Sequence, residues 1–232
     1  MACNGNKSQF SCMVNEPVYR AIIKELNEKN AQLVAVSKTK PVADIKALYD
    51  LGQKDFGENY VQEIIEKQPL LPHDIRWHFI GHLQSNKVKY ITPFVYMIHG
   101  VDSLKLLVEI NKQAAKNNRV IPVLLQMHIA REETKFGLDE KELNDILLHA
   151  AELKNVSIRG LMGMASFTDD KEIVRAEFGY LKSVYDRINN HSNTYHLSLT
   201  TLSMGMSADY AIAVEEGSNM VRIGSLLFGE RL

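Results

Sequence analysis

Two cysteines in 232 residues, Cys3 and Cys12, both fall in the polar N-terminal stretch. They cannot staple a core they do not enter, so the sequence offers no disulfide framework and no zinc or other metal site. No apolar run approaches the roughly 20 residues of a membrane span. The start of the chain also lacks the apolar segment of a secretory signal, so the expected location is cytoplasmic. Charge of one sign is missing as well. A net charge of −1 gives no general attraction to nucleic acid or to an anionic membrane, so neither is an expected partner. An anionic ligand would therefore need local positive potential. There is no Pro/Gly/Ser-rich linker and no shift in composition. One domain is expected over residues 17–232, after a flexible N-terminal segment over 1–16.

What is present is a repeated unit of short apolar strand, small or polar turn, and amphipathic helix. Val18, Ile22, Ile23 and Leu26 recur at helical spacing over Pro17–Asn30, with Pro17 suited to a first turn. Leu33–Ser37 reads as the first strand. Val42, Ile45, Leu48 and Leu51 stripe the helix behind it, which Gly52 ends. Further strands are expected at Lys54–Gly57, Trp77–Ile80, Val95–Ile98, Val120–Ile129, Val156–Met164, Tyr195–Leu202 and Met220–Phe228, with helical periodicity between them. Eight strands alternating with helices, several continuously apolar, predict an α/β fold with a parallel sheet covered on both faces. Eight such units close naturally into a single (β/α)8 TIM barrel, here with an extra N-terminal helix. An open doubly wound sheet is the competing arrangement.

In a barrel, chemistry collects where strands run out into loops. Lys38 closes the first apolar strand, where its ammonium must be paired, solvated or chemically used. A partly desolvated lysine is shifted toward the neutral amine that imine formation requires; the bland alternative is a side chain that snorkels to solvent. Lys40 reads as a rim charge that steers an anion. The far end of the chain supplies two small-residue turns, Ser203-Met204-Gly205-Met206-Ser207 and Arg222-Ile223-Gly224-Ser225. Gly205 would let backbone amides approach an anion, and Ser207 stands at an expected helix N-cap. A helix terminus contributes only about 0.3–1 kcal/mol toward an anion, so Ser203, Gly224 and Ser225 are needed as further donors.

Arg222 shares a strand face with Gly224 and needs a partner, either a glutamate or an acceptor on a ligand. A lysine facing two phosphate-shaped turns is the layout of a pyridoxal phosphate site, and there Arg222 would donate to the pyridine nitrogen. Guanidinium has donors only, so that nitrogen would stay unprotonated and the ring would be a poor electron sink. His78 either faces the cofactor or is a satisfied core histidine. Asn59 either touches the ring hydroxyl or caps a helix. The charged loop Arg131–Gly137 is either a cover or a solvated loop.

Seven stretches, in order, carry a specific resemblance. They are Val36-Ser37-Lys38-Thr39, Phe56-Gly57-Glu58-Asn59-Tyr60, Trp77-His78-Phe79-Ile80-Gly81 with Leu83-Gln84 and Asn86-Lys87, and Glu133-Thr134-Lys135-Phe136-Gly137. Gly160-Leu161-Met162-Gly163-Met164, Ser203-Met204-Gly205-Met206-Ser207 and Val221-Arg222-Ile223-Gly224 with Phe228-Gly229-Glu230-Arg231 complete the set. Through them the chain resembles the pyridoxal phosphate homeostasis protein family (the YggS/PROSC type), itself similar in fold to the N-terminal barrel of alanine racemase. His128 and Asn219 depart from that pattern, where asparagine and threonine are usual.

The resemblance implies an internal aldimine between pyridoxal 5'-phosphate and Lys38. It also implies that Ser203, Met204, Ser207 and Gly224 surround the phosphate while Arg222 meets the ring nitrogen. It further implies a carrier or regulator in vitamin B6 and amino-acid balance without an established reaction; the expectation drawn from it is a monomeric, non-catalytic protein that releases the cofactor to apo-enzymes in transient encounters. A pyridoxal phosphate-dependent amino-acid racemase is the alternative, and it needs a second base, for which His78 and Tyr60 are the candidates. A cofactor-free Schiff-base aldolase would use the same lysine but leaves Arg222 unexplained.

Overall fold

The computed structural model describes residues 14–132, 136–195 and 197–229. Eight parallel strands close into a barrel in chain order: β1 (Gln32–Val36), β2 (Asp55–Glu58), β3 (Arg76–Phe79), β4 (Met97–Val101), β5 (Ile121–Gln126), β6 (Val156–Met162), β7 (Thr201–Ser203) and β8 (Met220–Ile223). β1 closes the ring against β8 with Val34 opposite Arg222 and Ala35 opposite Ile223. The single (β/α)8 barrel is thus the architecture, and the open sheet is excluded.

The preceding helix, α1 (Glu16–Glu28), is capped by the Asn15 side chain and has Pro17 in its first turn. It buries Tyr19, Ile22 and Leu26 against the barrel. The helices between strands are α2 (Val42–Asp50), α3 (Val61–Lys67), α4 (Val88–Ile91), α5 (Leu104–Lys116), α6 (Glu140–His149), α7 (Lys171–Asn190), α8 (Ser192–Tyr195) and α9 (Tyr210–Glu215). A short α10 (Ser225–Phe228) follows the last strand. Each outer strand face packs on these helices in one continuous apolar layer that includes Leu33, Ala35, Phe56, Ile98, Leu125, Leu161 and Val221. The lumen holds a separate, small cluster of Val34, Met97, Leu124, Met162 and Met220. Alternation along each strand produces both layers.

Four expected strands are shorter than the sequence suggests: Val120–Ile129 is strand over Ile121–Gln126, Val156–Met164 over Val156–Met162, and the other two are helical in part. Met220–Phe228 divides at Gly224: Ser225–Phe228 is helical, and Leu227 and Phe228 are buried. A short apolar run does not distinguish strand from buried helix by periodicity alone. In the Tyr195–Leu202 stretch only Thr201 onward is strand, while Ser192–Tyr195 is helical. The Asn189 side chain of α7 bonds both the N–H and the C=O of Leu199, at 2.8 and 3.1 Å, so this backbone is satisfied by a helix and not by a neighbouring strand. Of the expected flexible segment 1–16, residues 1–13 lie outside the described residues, and Asn15 is the cap of α1.

Candidate functional site

Lys38 stands in the turn that ends β1, on the carboxyl side of the barrel. The Lys40 N–H donates to the Ser37 carbonyl at 3.0 Å, closing a four-residue turn with Lys38 and Thr39 at its centre. Thr39 has φ of +64°, whereas Lys38 is not in the positive region, which defines a type II turn. Glycine or asparagine is preferred at that third position, and a β-branched residue there costs about 1–3 kcal/mol.

Its neighbours hold it. Lys67, at the end of α3, donates to the Ser37 carbonyl at 2.9 Å, to Glu58 Oε1 at 2.8 Å and to Glu63 Oε2 at 2.7 Å. Glu63 Oε2 also accepts the Thr39 N–H at 2.8 Å, and the Ser37 hydroxyl donates to Glu58 Oε1 at 2.7 Å. Burial pushes the Glu58 carboxyl up against the pull of Lys67. Glu63 is less buried; burial raises its pKa too, but the bonds from Lys67 and Thr39 prevail and hold it down. Lys40, expected to steer an anion, instead donates to the Phe228 carbonyl at 2.9 Å and to that of Gly229 at 3.4 Å, tying the first loop to α10.

Arg222 points into the lumen and is buried. Its guanidinium donates to the Ser203 carbonyl at 2.9 Å, the Ser203 hydroxyl at 2.7 Å and the Gly163 carbonyl at 3.0 Å. All three acceptors are neutral oxygens. Burial lowers its pKa to about 10, so it remains charged near neutrality and supplies the local positive potential that the net charge does not.

The two small-residue turns meet. Gly205, at φ +96°, reverses the chain after β7, and the Ser207 hydroxyl returns to accept the Gly224 N–H at 3.3 Å. Ser207 is therefore not the helix N-cap. α9 begins three residues later, with Asp209 in the cap position. Asp209 Oδ1 instead holds the Met206 N–H at 2.5 Å within the turn. Gly224 lies against β1: a Cβ built there would stand 3.1 Å from the Val36 carbonyl, two residues before Lys38. Met204 packs its side chain in the helix-side core, and its N–H and carbonyl both meet the buried Ser218 hydroxyl, at 3.3 and 2.8 Å.

Asn59 follows β2, and its Oδ1 is buried without a partner among the described residues. It is no helix cap, since α3 starts after Tyr60 without side-chain capping. An orphaned amide oxygen, a buried donor-only guanidinium and two joined turns fit an aromatic ligand that carries a hydroxyl and a phosphate. His78 takes the other course. It is fully buried, with Nδ1 2.8 Å from His99 Nε2 and Nε2 2.9 Å from Asp55 Oδ1, which makes it a satisfied core histidine. Ser166 is held by Glu177 at 2.6 and 2.7 Å and accepts the Arg131 N–H at 2.9 Å. Residues 133–135 of the Arg131–Gly137 loop lie outside the described residues; Phe136 stacks on His82, with centroids 4.1 Å apart.

The sequence reading missed the Lys67–Glu58–Glu63 network, whose signal was only a lysine four residues after a glutamate on one helix face. Of the departures, Asn219 bonds the Leu202 N–H and the Thr200 carbonyl, both at 2.8 Å, joining β7 to β8 at the amino end of the barrel. A cleft of about 610 Å³ opens between α1 and the amino ends of the strands, but it faces away from Lys38, and its charged lining is paired, Arg76 with Asp55 and Lys54 with Asp74.

A barrel that gathers a lysine, a buried guanidinium and two joined turns at its carboxyl mouth falls in the class of alanine racemase-type barrels. Residues 19–232 match the family described as "Alanine racemase, N-terminal domain". Over 205 residues the chain is 43% identical to the "Pyridoxal phosphate homeostasis protein" of Aquifex aeolicus, across 88% of this chain and 89% of that one. It is 41% identical to the protein of that name from Synechocystis, across 95% of this chain and 100% of the relative. The chain belongs to the pyridoxal phosphate homeostasis protein family. The solved structure of PipY from Synechococcus elongatus with PLP bound superposes with a TM-score of 0.82 at 35% identity, over 91% of this chain and 100% of that one. Alanine racemase from Streptomyces lavendulae shares the fold, with a TM-score of 0.73 at 13% identity, over 94% of this chain and 58% of its own.

Proposed function

We propose that this protein holds pyridoxal 5'-phosphate as a Schiff base on Lys38 and acts, without catalysing a reaction of its own, in intracellular cofactor and amino-acid homeostasis. The observation that carries this reading is the adjacency of β1 and β8. Their pairing sets the Lys38 turn beside Gly224, whose N–H meets Ser207 from the preceding turn. In this reading Ser203, Ser207 and Gly224 surround the phosphate, with Met204 shaping the turn between Ser203 and Ser207. Asn59 Oδ1 accepts the ring hydroxyl, and Arg222 donates to the ring nitrogen. PipY, at 35% identity, is a relative solved with PLP bound.

The Lys38 amine adds to the cofactor aldehyde, and the aldehyde oxygen departs as water. Arg222 has only donors to offer, so it keeps the ring nitrogen an acceptor and the cofactor held but weakly activated. That suits a carrier that gives the cofactor up to apo-enzymes in transient encounters. The protein works as a cytoplasmic monomer, with neither nucleic acid nor membrane as partner. Among the described residues no helix is long and apolar enough to cross a membrane.

The test is Lys38→Ala. The wild-type protein with pyridoxal 5'-phosphate shows a yellow imine band that borohydride fixes to a peptide containing Lys38, and the variant shows none. A reducible imine at full occupancy in the variant would assign the chemistry to another lysine.

A further inference from the structure

The ion network behind the first strand lies on the helix side of the sheet, so none of its groups faces the barrel mouth, yet it bonds the backbone on both sides of Lys38. The Ser37 carbonyl accepts from Lys67 and the Thr39 N–H donates to Glu63, while Lys67 bridges Glu58 and Glu63. Glu58 is fully buried and Lys67 nearly so. Left alone, Thr39 would not favour φ of +64°, and the turn would relax toward a conformation that swings the Lys38 side chain off its present direction.

We propose that Lys67, with Glu58 and Glu63, is a positioning device for Lys38: it locks the strained turn from behind, and it thereby sets the rate at which the amine captures and gives up an aldehyde. The inference rests on the assignment of Lys38 as the imine-forming residue and adds the groups that aim it. The covalent step is unchanged. The Lys38 nitrogen bonds to the aldehyde carbon, and the aldehyde oxygen leaves as water with the two protons the amine gives up. The network takes no proton in this; it fixes where the amine stands, and misplacement of a reacting group by about 1 Å can cost up to about 100-fold.

The experiment uses the full chain with Lys67→Met, Thr39→Gly and the double variant, and follows the yellow band after mixing with pyridoxal 5'-phosphate. Lys67→Met forms the band about 10- to 100-fold more slowly. Its affinity for pyridoxine 5'-phosphate, which lacks the aldehyde, stays within about threefold of wild type, a change worth less than about 1 kcal/mol. Adding Thr39→Gly restores most of the rate, because glycine adopts the positive φ without a clamp. That rescue separates aiming from general destabilisation. If Lys67→Met does not fold, Glu63→Gln, at a less buried position, weakens the hold on Thr39 and replaces it, with the same rescue expected.

A wild-type rate in the clamp variant, or a slow rate that Thr39→Gly leaves unchanged, overturns the inference while leaving Lys38 in place. Wild-type protein that forms no imine, or Lys38→Ala that retains one, overturns the underlying assignment instead.

Discussion

Gly81, at the end of the Trp77–Gly81 motif, shows how one missing side chain places another. A Cβ built there would stand 2.3 Å from the Asn59 carbonyl oxygen and 2.8 Å from its Cα, closer than any real contact allows. Gly81→Ala must therefore push the Asn59 backbone away, and with it the one buried amide oxygen that lacks a partner within the described residues. Overpacking of this kind costs about 1–3 kcal/mol. The expected result is a lower unfolding midpoint together with weaker binding of pyridoxine 5'-phosphate in equilibrium titration. A variant that loses stability but binds as wild type would remove Asn59 from the site. At this scale the sequence was legible where residue type dictates chemistry. The sequence put Lys38 just past a strand, Arg222 within one and Gly205 in a turn, and the structure has each of them there. Lys40, Ser207 and Met204 were not legible, because whether a side chain reaches the mouth, a carbonyl or the core depends on how loops distant in sequence close on one another.

The strands of the lumen carry a chain of polar groups that periodicity alone placed only in part. Arg76 of β3 pairs with Asp55 of β2, Asp55 bonds His78, and His78 bonds His99 of β4, whose Nδ1 has no partner among the described residues. Alternation sets His78 on the strand face opposite Trp77 and Phe79, but its satisfaction by two residues about 20 positions away needed the barrel to close. Burial, then the charges of His78 and of Arg222 from β8, hold His99 well below the usual imidazole range. For Asp55 burial opposes the charge, but hydrogen bonds from His78 and Arg76 outweigh it and bring the carboxyl to about 2.

Both folded values lie below the unfolded ones, so both contributions are complete above the unfolded pKa and are lost as pH falls. The loss from His99 starts as pH drops through about 6.5, and that from Asp55 falls between about 4 and 2. The Asp55 contribution is on the order of 2 kcal/mol. The unfolding midpoint should accordingly decline from about pH 6.5 downward, ahead of the range where ordinary carboxylates titrate. In His99→Leu the decline between about pH 6.5 and 5 should flatten, while the steeper fall below about pH 4 persists. Identical slopes in that upper window for both proteins would show that His99 is not the group excluded from protonation.

For the molecule as a whole, the fold was legible from eight repeats of strand, turn and helix. The boundaries near residues 195–203 and 220–228 were not, because there tertiary partners decide between helix and strand. The shared barrel with alanine racemase raises the question of whether this chain racemises amino acids, and the answer follows from what its lumen offers. Racemisation needs a proton donor and an acceptor on opposite faces of one carbon. Lys38 supplies one face in the proposed site. Of the two candidates for the other, His78 has both ring nitrogens committed to Asp55 and His99, deep beneath the mouth. Tyr60 stands at the rim, 56% exposed to solvent. In the proposed site a donor-only guanidinium at the ring nitrogen would also give the carbanion less stabilisation than a protonated ring. The chain aligns with 100% of the Synechocystis homeostasis protein but with 58% of the Streptomyces racemase, so what the racemase adds lies outside the region they share. Protein loaded with pyridoxal 5'-phosphate and incubated with L-alanine should yield no D-alanine above a cofactor-only control in chiral chromatography. Turnover at about 1 per second, the low end for ordinary enzymes, would mean that Tyr60 or another rim residue completes a two-base site and that holding the cofactor is not the protein's main task.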